Sequence, residues 1–134
     1  RILNRCSPAV YDAKVWHIRR PLDVSAMHAA AQELVGVYDF SSFRDSNCQS
    51  KSPIKKISKF DIVRYGECIL ADLQAPSFLH HQVRIMMGTI KSVGTGVISL
   101  DDFIRIRDAK DRTKAGITAP PQGLALTRVG YPGE

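Results

Sequence analysis

The stretch that decides the fold is an apolar segment with one arginine near its start, Phe78-Leu79-His80-His81-Gln82-Val83-Arg84-Ile85-Met86-Met87-Gly88. Apolar side chains recur at helical spacing, at Leu79, Val83, Met86 and Ile90. This spacing predicts a helix over residues 79–93 with one buried stripe. Arg84 flanks that stripe and calls for an anion, a carboxylate or a phosphate, because a buried unpaired charge is costly. The alternative is that Arg84 reaches water along its apolar stem.

Composition favours a single domain without a membrane span. The chain has 134 residues and is 44% hydrophobic, which suffices for one buried core. No apolar run approaches the length of about 18 residues that a transmembrane helix needs. The beginning, Arg1 to Cys6, lacks both a Met and the apolar region of a signal peptide, so we expect a fragment or a processed chain. Three scattered cysteines fit a reducing compartment, and we expect the cytoplasm.

The net charge of +6 favours a polyanionic partner, with nucleic acid first. The basic residues form two groups. The first is Lys51, Lys55, Lys56, Lys59 and Arg64, and the second is Arg105, Arg107, Lys110, Arg112 and Lys114. Either group could neutralise phosphates, and either could be an ordinary solvated face.

The remaining pattern alternates strands with helices. We expect strands over residues 10–18, 54–63, 68–73 and 125–129, with Tyr65-Gly66-Glu67 as the turn of a hairpin. Asp23 is a candidate N-cap of a helix that Gly36 ends, and residues 39–53 are expected to form a long loop. Ser99 and Asp102 predict a capping box for a helix that ends near residue 109. This order predicts an α+β domain, an antiparallel sheet with helices packed on one face.

No metal site is expected. Adjacent helical histidines such as His80 and His81 point about 100° apart and cannot readily share one ion, since zinc pairs prefer the i, i+4 spacing. The pair Asp101-Asp102 is better explained by the helix dipole, which favours acids in the first turn.

Several stretches together resemble the C-terminal half of the TruA-type tRNA pseudouridine synthases. The helix carries the His-x-Val-Arg pattern at His81-Gln82-Val83-Arg84. A later loop carries Asp111-Arg112, Ala115-Gly116 and Thr118-Ala119-Pro120-Pro121-Gln122-Gly123-Leu124. Three further stretches match, namely residues 1–5, residues 35–44 with Asp39-Phe40-Ser41-Ser42-Phe43-Arg44, and residues 48–53. The motifs are long and occur in the family's order, so chance is a poor explanation.

The resemblance implies an isomerase that converts uridine to pseudouridine in the anticodon stem-loop of tRNA without a cofactor or metal. It implies that Arg84 orients a catalytic aspartate, and that Pro121, Gly123 and Leu124 line the substrate pocket. It further implies that Phe43 and Arg44 contact the RNA or shape the cleft. For His81 two interpretations stay open, a contact with the RNA substrate and a purely structural role. Members of the family are commonly homodimers. The fold that it implies is the same α+β fold.

One departure bears on activity. The family's catalytic aspartate lies in a Gly-Arg-Thr-Asp motif, and these 134 residues contain no such motif. We therefore expect residues 1–134 to be the C-terminal part of a catalytic domain and to be inactive alone. The alternatives are a non-catalytic RNA-binding module of the same fold and an unrelated basic α+β protein.

Overall fold

A computed structural model describes residues 2–4, 16–44, 52–78, 81–121 and 124. Its strands are β1 (Ile2–Asn4), β2 (Trp16–Ile18), β3 (Gly36–Asp39), β4 (Ile54–Ile57), β5 (Lys59–Tyr65) and β6 (Cys68–Gln74). Its helices are α1 (Val24–Gln32), α2 (Gln82–Gly94) and α3 (Leu100–Ala109). Two short 3₁₀ helices span Ser41–Phe43 and Arg112–Lys114.

The described strands form two sheets. A four-stranded sheet has the order β2-β1-β6-β5, and β3 pairs with β4 in a separate two-stranded sheet. The β5–β6 hairpin turns at Gly66, whose φ of 61° suits a residue without a Cβ. The β5–β6 and β1–β6 pairs are antiparallel, whereas β1 and β2 run parallel.

The helices pack on one face of the larger sheet. Phe60, Ile62 and Ile69 point from that face into the core and are at most 3% exposed. On the opposite face Val63 and Tyr65 are exposed, as the two-residue period of a strand requires. The predicted α+β class is confirmed, with helices on one side and a sheet that is antiparallel except at β1–β2.

Helix α1 lies against the outer edge of β5 and occupies backbone groups there. Gln32 Nε2 donates to Phe60 O at 2.6 Å, and Ile62 N donates to His28 Nδ1 at 3.1 Å. An edge strand otherwise presents unpaired amide and carbonyl groups to solvent. Two polar side chains of α1 therefore take the place of a neighbouring strand.

Helix α2 runs through the centre of the core. The predicted stripe is present at Met86 and Ile90, both 0% exposed, while Val83 is half-buried and Leu79 lies outside the described residues. Ile85, Met87 and Thr89 are buried as well, so the helix is covered on more sides than one stripe predicts. In the described part of the chain, no helix is both long and apolar enough to cross a bilayer.

Helix α3 closes the core beside the first 3₁₀ helix. Ser99 and Asp102 form the predicted capping box, with both hydrogen bonds at 3.1 Å. Phe103 packs against Phe43 with ring centroids 6.0 Å apart, and Phe43 packs against Phe40 at 6.4 Å. This aromatic row fixes the 3₁₀ helix under α3.

Some local predictions were wrong or lie outside the described residues. Gly36 is not a helix cap, because α1 ends at Gln32 and Gly36 starts β3 with a φ of 126°. The strand predicted over residues 54–63 is two strands that belong to different sheets. The loop predicted over residues 39–53 begins inside β3 and includes a 3₁₀ helix, and its residues 45–51 are outside the description. So are residues 10–15 and the strand predicted over residues 125–129.

Candidate functional site

Arg84 lies on the first turn of α2, half-buried, and contacts the backbone of a distant loop. Its Nε donates to Ala119 O at 2.7 Å, and Ala119 N donates to Arg84 O at 2.9 Å. This reciprocal pair joins residues 35 positions apart. It occupies the single Nε hydrogen and leaves the fork of Nη1 and Nη2 for another acceptor. A guanidinium held in this way is oriented to grip a planar carboxylate or phosphate.

The described residues supply no carboxylate for that fork. Their ion pairs involve other cations, namely Lys59, Arg105 and Arg107. An anion was expected beside Arg84. Within the described residues, its hydrogen-bond acceptor is instead the neutral carbonyl of Ala119. Nη1 and Nη2 of Arg84 can therefore donate hydrogen bonds to an anion that comes from elsewhere.

Two aspartates in the motifs that resemble the family, Asp39 and Asp111, accept hydrogen bonds within local turns. Burial raises the pKa of Asp39, but hydrogen bonds from the hydroxyl and amide of Ser41 outweigh it and hold that pKa below its usual value. Hydrogen bonds from the hydroxyl and amide of Thr113 lower the pKa of Asp111. Both carboxylates are therefore ionised caps of local turns at neutral pH.

The loop that Arg84 contacts, hereafter the 116–119 loop, is seated on α2 at two further points. Gly116 N donates to Thr89 Oγ1 at 2.9 Å, and the same hydroxyl donates to Ile85 O at 3.0 Å. Between these points Gly88 allows backbone contact, because a Cβ there would lie 1.7 Å from Ile117 O. Arg84, Gly88 and Thr89 thus form one face of α2 on which the loop rests.

The predicted pocket residues follow the 116–119 loop. Pro121 is exposed, and its carbonyl accepts a hydrogen bond from Leu124 N at 3.0 Å. Leu124 is 51% exposed, so it presents apolar surface to solvent. Gly123 lies outside the described residues.

The predicted RNA-contacting residues occupy different environments. Phe43 is 0% exposed and packs against Phe103, so its ring anchors the 3₁₀ helix to the core. Arg44 follows it and is half-buried. The buried hydroxyl of Ser42 links this segment to the loop region, since it accepts from Asp111 N at 2.8 Å and donates to Ile106 O at 2.6 Å.

His81 precedes α2 at the N-cap position with φ 58° and ψ 11°. A left-handed conformation is uncommon for a residue with a Cβ and costs about 1–2 kcal/mol. The strained position lies three residues before Arg84, on the turn that sets where the helix begins. This is a backbone feature that the histidine's side-chain chemistry did not indicate.

The second basic group is largely engaged within the protein. Arg105 pairs with Asp102, and Arg107 pairs with Asp108 and donates to Glu33 O. Arg107 also stacks over the ring of Tyr38 at 4.4 Å, beside a cleft of about 420 Å³. In the first group Lys59 binds Asp72 at 2.9 Å, and Lys51 lies outside the described residues. The charge available for phosphate contacts is smaller than the sequence count suggests.

Sequence comparisons give the family. A family model described as tRNA pseudouridine synthase matches residues 30–132. The chain belongs to the tRNA pseudouridine synthase family. The matched range contains the Arg84 helix and the 116–119 loop, so the contact between them lies within the family's common region. The resemblance inferred from the motifs is confirmed.

Bacterial relatives named tRNA pseudouridine synthase A match nearly the whole chain. The protein of Rhodospirillum centenum (strain ATCC 51521 / SW) is 52% identical over 132 residues, which are 98% of this chain and 54% of that protein. The protein of Gluconobacter oxydans (strain 621H) is 50% identical over 132 residues, which are 98% of this chain and 48% of that protein. The chain therefore spans about half the length of the curated relatives it matches.

Sequence reasoning found Arg84 but missed Gly88, Thr89 and Arg112, which hold the loop that Arg84 contacts. A glycine and a threonine in the middle of an apolar helix were a usable signal, since neither residue favours a helix interior. Among the described residues, no group of three or more His, Cys, Asp or Glu side chains is arranged to hold a metal ion.

Proposed function

We propose that this chain provides half of the active site of a tRNA pseudouridine synthase that isomerises uridine in the anticodon stem-loop. The carrying observation is the Arg84–Ala119 pair, which fixes a guanidinium beside a loop that continues through Pro121 to Leu124. The chemistry breaks the bond between N1 of uracil and C1′ of ribose, turns the base and joins C5 to C1′. The hydrogen on C5 is then lost to water.

The proposed role of Arg84 is to bind and orient a catalytic aspartate. This carboxylate is proposed to come from the part of the family's length that the 134 residues do not span, in a Gly-Arg-Thr-Asp motif. An arginine beside an aspartate lowers the aspartate's pKa by about 1–3 units and therefore keeps it ionised. A forked contact through Nη1 and Nη2 also aims the carboxylate, whereas a lysine offers only a point charge.

The proposed role of Pro121, Gly123 and Leu124 is to form one wall of the pocket for the target base. The uridine must leave its stack to react, and a rigid apolar surface stabilises an extruded base. The prolines supply rigidity because each one fixes its own φ. Arg44 and His81 are proposed to contact the RNA beside this wall, and Phe43 to support Arg44 from the core.

The remaining properties follow from this function as proposals. The partner is tRNA, the compartment is the cytoplasm where tRNA is modified, and the assembled enzyme is a homodimer. The chemistry as proposed requires neither a metal nor a cofactor.

The test is tritium release from tRNA labelled at C5 of uridine, catalysed by the complete gene product. We expect Arg84→Ala to lower kcat by about 100-fold or more, because a misplaced catalytic group has an effect of this size. Arg84→Lys should keep the charge but lose the fork, and the acid limb of its pH–rate profile should move to higher pH. Arg20→Ala, which removes an exposed arginine outside both basic groups, is the control and should leave kcat unchanged.

Two results would contradict the proposal in different ways. Undiminished release by Arg84→Ala would remove Arg84 from the site and leave the activity standing. No release from the unmodified protein, with tRNA still bound, would favour the non-catalytic RNA-binding module.

A further inference from the structure

Arg112 makes two hydrogen bonds to the 116–119 loop rather than to any anion. Its Nη1 donates to Gly116 O at 3.0 Å and its Nη2 donates to Thr118 Oγ1 at 3.3 Å. The two acceptors flank Ile117, the residue whose carbonyl rests on Gly88. One guanidinium thus spans the part of the loop that contacts α2.

The backbone next to Arg112 is held in place by contacts that do not involve the 116–119 loop. The preceding Asp111 is tied through its backbone N–H to the buried Ser42, which is itself bonded to α3 at Ile106 O. The Asp111 carboxylate caps the 3₁₀ helix that contains Arg112. Because its own backbone is anchored to the core, Arg112 can hold the loop rather than move with it.

The loop in turn sets the orientation of Arg84. The Ala119 carbonyl that accepts from Arg84 Nε follows directly after Thr118. If Arg112 no longer held Gly116 and Thr118, the described hydrogen bonds left between the 116–119 loop and its surroundings would be those to Thr89 and Arg84 of α2. The plane of the Arg84 guanidinium would then no longer be fixed by a rigid partner.

We infer that Arg112 is a positioning residue for the isomerisation, acting through the 116–119 loop on Arg84. The inference rests on the proposed function of Arg84. Arg112 touches neither the substrate nor the catalytic aspartate. Its contribution is to hold the loop so that the Nη fork of Arg84 keeps the direction that the aspartate requires.

A phosphate-binding role for Arg112 gives a different signature. Its placement among the basic residues of the second group would suggest such a role from sequence alone. Both of its Nη groups, however, point to neutral acceptors within the protein. Loss of a phosphate contact would weaken tRNA binding and reduce its salt dependence, whereas loss of a positioning contact lowers kcat.

The experiment compares Arg112→Lys and Arg112→Ala in the complete gene product, with Arg20→Ala as the charge-matched control. For Arg112→Ala we expect kcat to fall about 10- to 100-fold, with tRNA Kd and KM within about twofold of the unmodified protein. Arg112→Lys keeps the charge but cannot span both acceptors, so its kcat should lie between that of the unmodified protein and that of Arg112→Ala.

Two further measurements separate positioning from a general loss of structure. On an Arg84→Ala background, Arg112→Ala should slow the reaction little further, because the two residues act as one unit. Hydrogen exchange of the amides at Gly116 and Ala119 should accelerate in Arg112→Ala and stay unchanged in Arg20→Ala.

Several outcomes would overturn the inference. A raised Kd with unchanged kcat would make Arg112 an RNA contact. Multiplicative losses in the double variant, or unaltered exchange at Gly116 and Ala119, would show that it does not act through the loop. An inactive unmodified protein would overturn the proposed function and this inference together, an outcome that no Arg112 result can imitate.

Discussion

At the scale of single residues, small side chains on α2 decide how the site is assembled. Gly88 has no Cβ, and the loop backbone fills the space that a Cβ would take. Thr89 offers one hydroxyl that accepts from the loop and donates within the helix. These residues let a backbone segment pack directly on a helix, which holds it more closely than a layer of side chains would.

Substituting Gly88 by alanine is expected to displace the loop. The new Cβ would lie 1.7 Å from Ile117 O, which a backbone carbonyl can avoid only if the loop moves. Overpacking of this kind destabilises a protein by about 1–3 kcal/mol. In the complete gene product, the measurements are thermal unfolding and tritium release, and we expect Gly88→Ala to lower both Tm and kcat.

Ser92→Ala is the matched control for this substitution, because Ser92 is half-buried one turn further along α2. It should leave Tm and kcat near their original values. A Gly88→Ala protein with unchanged Tm and kcat would contradict the close seating of the loop.

At the scale of elements, the start of α3 is stabilised by hydrogen bonds between residues of its first turn. The first turn of α3 carries Asp101 and Asp102, and only Asp102 belongs to the capping box. Hydrogen bonds from the backbone N–H and the side chain of Ser99 lower the pKa of Asp102. The helix start is therefore stabilised by an ionised carboxylate.

The stabilisation by Asp102 should depend on pH. A carboxylate whose pKa is lower in the folded state stabilises above its unfolded pKa, about 3.9, and this effect is lost as the pH falls through the folded value. Asp102→Asn should therefore have a lower Tm than the unmodified protein at pH 7. The difference should shrink as the pH falls below about 4.

Asp101→Asn serves as the comparison, since Asp101 is exposed in the same turn and lies outside the capping box. A difference in Tm between Asp102→Asn and the unmodified protein that stays constant from pH 7 to pH 3 would speak against this account.

At the scale of the whole molecule, the guanidinium of Arg84 has no acidic partner among the described residues. The 134 residues also contain no Gly-Arg-Thr-Asp motif. The isolated 134-residue chain is therefore expected to release no tritium from labelled tRNA, while the complete gene product does. Measurable release by the isolated chain would show that an aspartate among these residues can serve.

Sequence was a good guide to most local features, although the helix cap predicted at Gly36 was wrong. The Ser99 capping box, the Asp23 cap, the Gly66 turn and helix α2 all depend on residues a few positions apart. The boundary between β4 and β5 was missed because it depends on distant pairing. Ser58 separates the two strands, and both its N–H and its hydroxyl donate to Gln74 O in β6.

The same limit applies to the candidate site. Arg84 stood out because a charge beside an apolar stripe is unusual, and motif resemblance supplied its proposed role. Its actual partner, Ala119 O, could not be predicted, because a backbone carbonyl carries no sequence signal. Phe43 was predicted to contact the substrate or to shape the cleft, and in this structure it is completely buried.

The contact of α1 with the edge of β5 also limits where a further strand can join the larger sheet. Phe60 O and Ile62 N are occupied by Gln32 and His28, so an incoming strand would have to peel α1 away. At the opposite margin, β2 has a described neighbour on one side only, β1. Growth of the sheet beyond β5, by another segment or another chain, therefore requires α1 to be displaced from these two backbone groups.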